Sequence, residues 1–387
     1  MGETNSYFTD GNYGESYPKE SELSDKENGV PFLRGSNLRN GELIEDNANY
    51  ITKEKHAELT SGHLVEDDIV LAVRGSLGAL GYVKEENIDW NINSQLAVIR
   101  TDKSELSGKF LAQFLLSWRG QKELLSRNTG TALKQLPIKQ LKDVPVPIVN
   151  LDEQKEISAL FTSIDNLIAA TQDKIDALEQ AKRALLQRLF DQSWRFKGYS
   201  DPWEKRKLRE VSDVRDGTHA SPKYYSQGYP LVTSKNLTSA GLDFSNISLI
   251  SELDYKNINK RSRVDKGDIL FGMIGTIGTP VMVHESNFAI KNVALIKERE
   301  AVLNSFLVQL LKSPAFINYI RNENVGGTQK FLSLNTIRNF RFSFPTSKEQ
   351  AMVSRFLEKI DSLIAATQSR LSSLELLKKA LLQDLFI

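Results

Sequence analysis

The chain has 387 residues, 40% of them hydrophobic, so it is too long for one ordinary core and holds enough apolar material for at least two. It contains no cysteine, which excludes disulfides, thiolate zinc sites and thiol nucleophiles and fits a reducing compartment such as the cytoplasm. The net charge of +1 excludes a uniformly basic protein, but residues 1–152 hold 17 Lys+Arg against 23 Asp+Glu, whereas residues 191–348 hold 23 against 15.

The first part of the chain predicts one globular domain over residues 1–150. It begins with about thirty polar, glycine-punctuated residues, which predict a loop-like start. Short apolar runs at 68–73 and 96–99 then predict strands, and residues 110–125 have helical periodicity. With no signal-peptide-like segment and no apolar run of roughly 20 residues, a soluble cytoplasmic protein is expected.

A long amphipathic helix is predicted next, over residues 151–192. Apolar residues from Ile157 to Leu189 recur in alternating steps of four and three, with polar interruptions at Thr171 and Lys182. This spacing is typical of a coiled-coil seam.

The second half of the chain repeats the first in the same order. Further strand-like and helix-like runs predict a second globular domain over residues 193–347, followed by a second long helix over residues 348–387. Glu153–Phe190 returns as Glu349–Phe386, with 20 of 38 positions identical. A repeat this long indicates a tandem duplication of a mixed α/β (α+β) domain and not a solenoid.

The two predicted helices carry equivalent seams, so we expect them to pack on each other. A helix of 38 residues is about 57 Å long, which exceeds one turn of DNA at about 34–36 Å. The helices therefore fit a spacing role, although burial of a core alone also explains an apolar stripe. The predicted seam includes Ile164, Ile168, Leu178, Leu185, Ile360, Ile364, Leu374 and Leu381.

Motifs for catalysis are missing from the sequence. There is no G-x-x-x-x-G-K-[ST] phosphate loop, no G-x-G-x-x-G and no amino-methyltransferase motif. The four histidines, at positions 56, 63, 219 and 284, show no metal-ligand spacing. We predict no catalytic residue, no metal ligand and no bound cofactor.

Clusters of residue types that read DNA lie beside glycines at matched positions of the two halves. Arg, Lys, Asn, Gln, Ser and Thr matter because base edges are read by forked or amide donors and acceptors, while phosphates accept from any cation or small donor. A polar loop is often only a solvated turn, and the repetition is what favours DNA contact. The candidates are Arg34, Ser36, Asn37, Arg39, Arg74, Ser76, Asn93 and Lys134 in the first domain, and Thr233, Lys235, Asn236, Thr276, Lys291, Asn292, Gln329 and Lys330 in the second.

Several motifs together give the chain a family resemblance over nearly its whole length. They are the Asp-Gly pairs at 10–11 and 216–217, the G-x-P-φ-φ runs at 29–33 and 228–232, the glycine turns at 75–78 and 275–278, and the Glu-Gln that opens each long helix at 153–154 and 349–350. In these motifs the sequence resembles the specificity subunits of type I restriction-modification systems.

The resemblance implies two target-recognition domains, each reading one half of a split double-stranded DNA site, separated by an antiparallel pair of conserved helices with pseudo-two-fold symmetry. It also implies that two methylation subunits dock on the helices and that restriction subunits join them. S-adenosylmethionine, ATP and Mg²⁺ are then expected on those partner subunits, and this chain is expected to be non-catalytic.

The sequence departs from the resemblance in two places. The second domain opens with a strand-like segment at 203–211 that has no counterpart before Asp10, so the first domain either lacks this strand or is completed by other residues. Ile274 stands where the first domain has Arg74, so an arginine contact is not expected there.

Two alternatives remain open from the residues alone. One is a specificity module of another methylation-based defence system, which keeps the reading of DNA and changes the partner. The other is a coiled-coil scaffold whose repeated domains bind protein. Salt dependence separates them, because phosphate contacts make DNA binding fall steeply with salt.

Overall fold

The computed structural model describes residues 1–130, 134–275, 277–323 and 331–386. The chain forms two compact units. Unit 1 comprises Met1–Ala170 with Arg370–Ile387, and unit 2 comprises Thr171–Ser369. Each unit therefore combines one globular region with parts of both long helices.

Unit 1 alternates short strands with short helices before the first long helix begins. Its strands are β1 (Tyr7–Asp10), β2 (Leu23–Ser24), β3 (Val30–Leu33), β4 (Leu38–Arg39), β5 (Gly41–Leu43), β6 (Asn49–Ile51), β7 (Ile69–Ala72), β8 (Leu80–Tyr82), β9 (Asn91–Ile92) and β10 (Leu96–Arg100). Its helices are α1 (Lys53–Glu58), α2 (Gly108–Leu116), α3 (Trp118–Ser126), α4 (Ile138–Lys142) and the first half of α5 (Leu151–Phe190).

The strands of unit 1 form a six-stranded sheet, in the order β1-β10-β7-β8-β5-β4, and a four-stranded sheet, in the order β2-β6-β3-β9. All four residues of β7 are buried because both faces of the larger sheet are covered. Ile69 and Leu71 pack in the cluster that contains α2, whereas Val70 and Ala72 pack in a second cluster with Leu33. The period of two along the strand thus divides the core into two layers.

The structure adds detail to two local predictions for unit 1. The start of the chain is not entirely loop-like, because β1 pairs antiparallel with β10. Residues 110–125 are helical as their periodicity predicts, but they form two helices, because Ser117 has extended backbone and its side chain caps α3 by accepting from Gly120 N at 3.1 Å.

Unit 2 has an equivalent order of elements. Its strands are β11 (Glu204–Lys207), β12 (Asp213–Asp216), β13 (Tyr229–Val232), β14 (Leu237–Thr238), β15 (Gly241–Leu242), β16 (Ser248–Ile250), β17 (Ile269–Gly272), β18 (Gly278–Met282), β19 (Ala289–Ile290), β20 (Val293–Lys297) and β21 (Arg341–Phe344). Its helices are α6 (Leu208–Val211), α7 (Glu252–Ser262), α8 (Asn304–Leu311), α9 (Pro314–Glu323), α10 (Leu334–Asn339) and most of α11 (Ser347–Asp384).

The strand pairings repeat those of unit 1. The order β12-β20-β17-β18 corresponds to β1-β10-β7-β8, and the order β16-β13-β19 corresponds to β6-β3-β9. Unit 2 adds a ribbon of β11 and β21. In unit 1 the Met1 amino group donates to Val144 O at 2.7 Å, and Gly2 N donates to Lys142 O at 2.8 Å.

Within each unit the two long helices run antiparallel. In unit 1, Phe386 of the C-terminal segment stacks on Phe161 of α5, and Lys378 forms an ion pair with Asp165 at 2.5 Å. In unit 2, Lys182 of α5 forms the equivalent ion pair with Asp361 of α11. The lysine that interrupts the apolar seam of each copy is therefore paired with an aspartate of the other copy.

Seam residues are less exposed than their neighbours on the same helices. Leu385, which continues the predicted heptad spacing, is exposed, and Phe386 is buried in its place. The other predicted positions are buried at Ile164 and half-buried at Ile168, Leu178, Leu185, Ile360, Ile364, Leu374 and Leu381.

The glutamine of each Glu-Gln motif attaches its helix to the globular part of the unit. The buried Gln154 amide accepts from Ser107 N at 2.8 Å and donates to Glu105 O at 2.9 Å. Gln350 makes the equivalent bonds to Leu303 N at 2.8 Å and Ala301 O at 3.0 Å. A buried amide is costly unless it is hydrogen-bonded. These bonds satisfy both glutamine amides, and they fix the start of each long helix against the globular part of its unit.

None of the described helices combines the length and the apolar character needed to cross a membrane.

Candidate nucleic-acid interface

Strand pairing brings four segments of unit 1 together at one end of its sheets. β3 and β9 run parallel and end side by side, with Leu33 opposite Ile92. β10 runs antiparallel to β7, so its start at Leu96 lies beside the end of β7 at Ala72. The segments that follow these ends therefore meet at one edge. We call residues 34–37, 74–76, 93–95 and 134–135 the unit 1 loop cluster.

Hydrogen bonds join these segments. Gly35 N donates to Gln95 Oε1 at 3.3 Å, and Arg74 N donates to Gln95 O at 3.2 Å. Arg74 also pairs with Gln135 through an isolated β-bridge. The loop cluster is thus a connected surface built on the sheet.

Arg74 is the exposed cation of this surface that is fixed to the strands. Its Nη1 donates to Ser94 O at 3.2 Å, and its charge faces Asp10 at the end of β1. Burial raises the pKa of the Asp10 carboxyl, and the Arg74 charge opposes that rise. The remaining guanidinium donors of Arg74 match the fork that binds guanine or phosphate.

The Asp-Gly motifs have a steric reason. A Cβ at Gly11 would lie 1.9 Å from Asn93 O, and a Cβ at Gly217 would lie 2.3 Å from Ile290 O. Only glycine permits the chain after β1 and after β12 to pass this close to the backbone of Asn93 and of Ile290.

Two predicted DNA contacts are internal anchors of their loops. Asn37 is fully buried, and its amide accepts from Arg34 N at 3.1 Å while donating to Ile44 O at 2.9 Å. Asn236 accepts from Thr233 N at 2.9 Å in the same way. Their polar atoms shape the backbone of the loops, so this placement does not support contact of Asn37 with a base.

The other predicted residues of unit 1 divide by exposure. Ser36, Arg39, Ser76 and Lys134 are exposed, and Arg39 lies on β4 opposite Glu42 of β5. Arg34 is half-buried and its Nη2 donates to Asn47 O at 3.0 Å. Asn93 is buried, and its Oδ1 accepts from Gln95 N at 3.0 Å.

Unit 2 assembles the same edge from equivalent segments. Lys291 N donates to Val232 O at 2.9 Å, Asn292 N donates to Thr218 O at 3.1 Å, and Ser234 Oγ donates to Asn292 O at 3.3 Å. We call residues 218–221, 233–236, 274–275, 291–292 and Phe331 the unit 2 loop cluster. Lys235 is exposed, and Thr233 and Asn236 are half-buried.

His219 is a member of this cluster that the sequence reasoning missed. Its Nδ1 lies 2.8 Å from Asn292 Oδ1, and its Nε2 lies 2.9 Å from Asp216 Oδ2. Lys291 Nζ donates to Ser221 Oγ at 2.7 Å. The available signal was the position of His219 directly after the Asp-Gly motif and Thr218.

The two clusters differ at one matched pair. Ile274 pairs with Phe331 through the same isolated bridge that joins Arg74 to Gln135. Ile274 is 38% exposed and Phe331 49% exposed. Unit 2 therefore presents an apolar pair where unit 1 presents a cation and an amide. The predicted contacts Thr276, Gln329 and Lys330 lie outside the described residues.

Nearly the whole chain is similar in sequence to one group of known proteins. The family model described as the type I restriction modification DNA specificity domain matches residues 12–180 and again residues 200–376. The MjaVIII specificity subunit of a type I restriction enzyme from Methanocaldococcus jannaschii is 23% identical, over 91% of this chain and 84% of that protein. The StySPI specificity subunit from Salmonella potsdam is 22% identical, over 90% of this chain and 79% of that protein.

Solved structures share the fold. The S subunit of a type I restriction-modification system from M. genitalium has a TM-score of 0.61 at 15% identity, with 99% of this chain and 94% of that chain covered. A chain from a study of complex assembly in a type I system has a TM-score of 0.59 at 16% identity, with 97% and 96% covered.

Proposed function

The chain belongs to the type I restriction-modification DNA specificity family, and on this premise we propose that each unit reads one half of a bipartite double-stranded DNA site through its loop cluster. The observation that carries the proposal is that the same edge is built twice, with exposed donors and cations held on rigid strands. Loops positioned by a rigid scaffold are where binding residues concentrate.

In unit 1, Arg74 is the proposed base-reading residue, and Ser76 and Lys134 flank it. Arg34, Ser36 and Arg39 are proposed to bind phosphates at the side of the cluster. Asn37 and Asn93 support this surface from behind, because their amides are bonded to the loop backbone. Phosphate contacts then set the register, while Arg74 carries sequence information.

In unit 2, Lys235, Lys291, Asn292 and His219 are the proposed polar contacts. Thr233 and Asn236 hold their loop, since Asn236 bonds Thr233 N. The apolar pair of Ile274 and Phe331 is suited to the methyl group of thymine, which only an apolar surface recognises. From the sequence alone, Thr276, Gln329 and Lys330 stay predicted contacts.

The proposed complex has further subunits that carry the chemistry. Two methylation subunits are proposed to dock on α5 and α11 and to bring S-adenosylmethionine, and restriction subunits to bring ATP and Mg²⁺. The chain itself is proposed to be non-catalytic and to act in the cytoplasm, where its DNA substrate is. The helices are proposed to set the length of the unread gap.

The test is a methylome of the host with and without this gene, read by sequencing that reports modified adenine. Loss of methylation at one bipartite motif supports the proposal and gives both half-sites and the gap. An unchanged methylome in a strain shown to express the methylation subunit overturns it.

A further inference from the structure

Three side chains from three separate segments meet on one side of unit 1. His56 lies on α1, His63 lies in the loop that follows, and Asp89 lies in the turn before β9. One ligand atom from each lies within 4.8 Å of the others. His56 Nε2 is 3.1 Å and His63 Nδ1 is 3.5 Å from the same Asp89 Oδ1.

One ring nitrogen of each imidazole faces Asp89 Oδ1. His63 Nε2 lies 2.7 Å from Leu59 O, and because a carbonyl only accepts, this nitrogen carries the proton. In the neutral form of the ring, Nδ1 then carries the lone pair that faces Asp89. A histidine whose second nitrogen donates to a backbone carbonyl is the usual arrangement of a metal ligand.

His56 supplies the second, independent observation. It is 7% exposed, and neither ring nitrogen makes a hydrogen bond within the part of the chain that the structure describes, although Nε2 lies 3.1 Å from Asp89 Oδ1. A buried polar atom without a partner is costly. The exposed Asp89 carboxylate completes the group.

We propose that His56, His63 and Asp89 bind a divalent transition-metal ion, for which Zn²⁺ is the best match. Ligand distances of about 2.0–2.2 Å in a tetrahedron place neighbouring ligand atoms about 3.3 Å apart. The separations of His56 Nε2 and His63 Nδ1 from Asp89 Oδ1, 3.1 and 3.5 Å, straddle that value. Two imidazoles with one carboxylate suit zinc better than the oxygen-seeking ions, and a water fills the fourth position beside the exposed Asp89.

The ion would join two segments that lead to the unit 1 loop cluster. Asp89 N donates to Leu64 O at 2.8 Å, and Leu64 N donates to Trp90 O at 3.0 Å, so the two ligand-bearing loops already run together. Asn91 follows in β9 and accepts from Asn12 at 2.8 Å. Metal binding is therefore expected to stabilise this side of unit 1.

The first measurement is calorimetric titration of the chelator-treated full chain with Zn²⁺, with Co²⁺ absorption to report the coordination geometry. We expect one equivalent bound, tetrahedral Co²⁺ bands and a higher Tm with the metal. Because protons compete with the ion for the imidazole nitrogens, affinity should fall as the pH is lowered. Absence of stoichiometric binding at pH 7.5 overturns the proposal.

Variants locate the ion. Asp89 has a φ of 64°, a conformation that asparagine accepts well, so Asp89→Asn should fold normally while losing at least tenfold in Zn²⁺ affinity. His63→Gln should behave likewise, and His284→Asn, at an exposed position outside the group, should bind as the unaltered chain does. Equal affinity of Asp89→Asn, His63→Gln and the unaltered chain, with circular dichroism showing all three folded, rejects the site.

Discussion

Arg74 is the residue whose substitution separates base reading from general affinity. Arg74→Ala should weaken binding to the first half-site by about 1–3 kcal/mol and relax its sequence preference, because a bidentate guanidinium contact carries that much discrimination. The second half-site should be read as before. Competition binding of the reconstituted complex to a library of half-site variants measures both effects.

Lys103→Ala is the matched control, since Lys103 is exposed in the turn before α2. It should leave the preference at both half-sites unchanged. Equal loss at the two half-sites in Arg74→Ala would contradict the assignment of one half-site to each unit.

In unit 2, the apolar pair of Ile274 and Phe331 is expected to contact the methyl group of a thymine. Replacing each thymine of the second half-site by uracil should weaken binding by about 0.8 kcal/mol where Ile274 or Phe331 contacts the methyl, since that is the worth of one buried methylene. At a position where Ile274 makes this contact, Ile274→Ala should no longer distinguish thymine from uracil. Binding that ignores uracil at every position would remove the apolar pair from the interface.

Residue types were predictable from the sequence, but their burial was not. Arg74 and Lys235 are exposed as a DNA contact requires, whereas Asn37, in an equally polar loop, is fully buried. The hydrogen bonds that bury it reach Ile44, which a linear motif does not reveal. His56 and His63 show the same limit, because Asp89 joins them only through the fold.

At the scale of the helices, the ion pair of Lys182 and Asp361 is testable by charge reversal. Lys182→Asp and Asp361→Lys should each lower the free energy of unfolding, and the double variant should recover about 1 kcal/mol, as expected for a partly exposed pair. Urea unfolding of the four chains gives the coupling energy.

Arg183→Asp, one position further along α5 and exposed, should cost little and show no coupling with Asp361→Lys. A coupling energy indistinguishable from zero for Lys182 would mean that the seam is held by its apolar residues alone.

The long helices were predictable because the heptad spacing of apolar residues continues over nearly forty residues. The same spacing occurs in both copies of the repeat, which strengthened the prediction. The short strands were not. β2, β4, β9, β14, β15 and β19 have two residues each, and their pairing depends on partners far along the chain. β9 is an example, since it pairs with β3 and thereby places Asn93 and Gln95 at the loop cluster.

For the molecule as a whole, the proposed spacing role predicts a change in the DNA gap. Seven residues inserted after both Thr171 and Thr367 keep the heptad seam in phase and lengthen each helix by about 10 Å. The unread gap should grow by roughly three base pairs at 3.4 Å each, with both half-sites unchanged. Methylome sequencing reads the new gap, and an unaltered gap would limit the helices to a packing role.

Charge distribution predicts unequal salt dependence. Residues 191–348 carry 23 Lys+Arg against 15 Asp+Glu, whereas acidic residues outnumber basic ones in residues 1–152. Affinity falls with salt in proportion to the phosphates neutralised. Scrambling the second half-site should therefore remove more of the salt dependence than scrambling the first, as measured by fluorescence anisotropy between about 50 and about 200 mM salt. An equal salt dependence of affinity after either scrambling would mean that the net charge of a segment does not indicate how many phosphates it contacts.

The burial of Phe386 against Phe110, Phe114 and Phe161 has a consequence for synthesis on the ribosome. Unit 1 needs Arg370–Phe386, yet all of Thr171–Ser369 is translated between its two parts. At about 5–20 residues per second, the first unit waits roughly 10–40 s for its last segment. During that delay its aromatic surface is open to chaperones, and unit 2, although translated later, is the first to have all its residues.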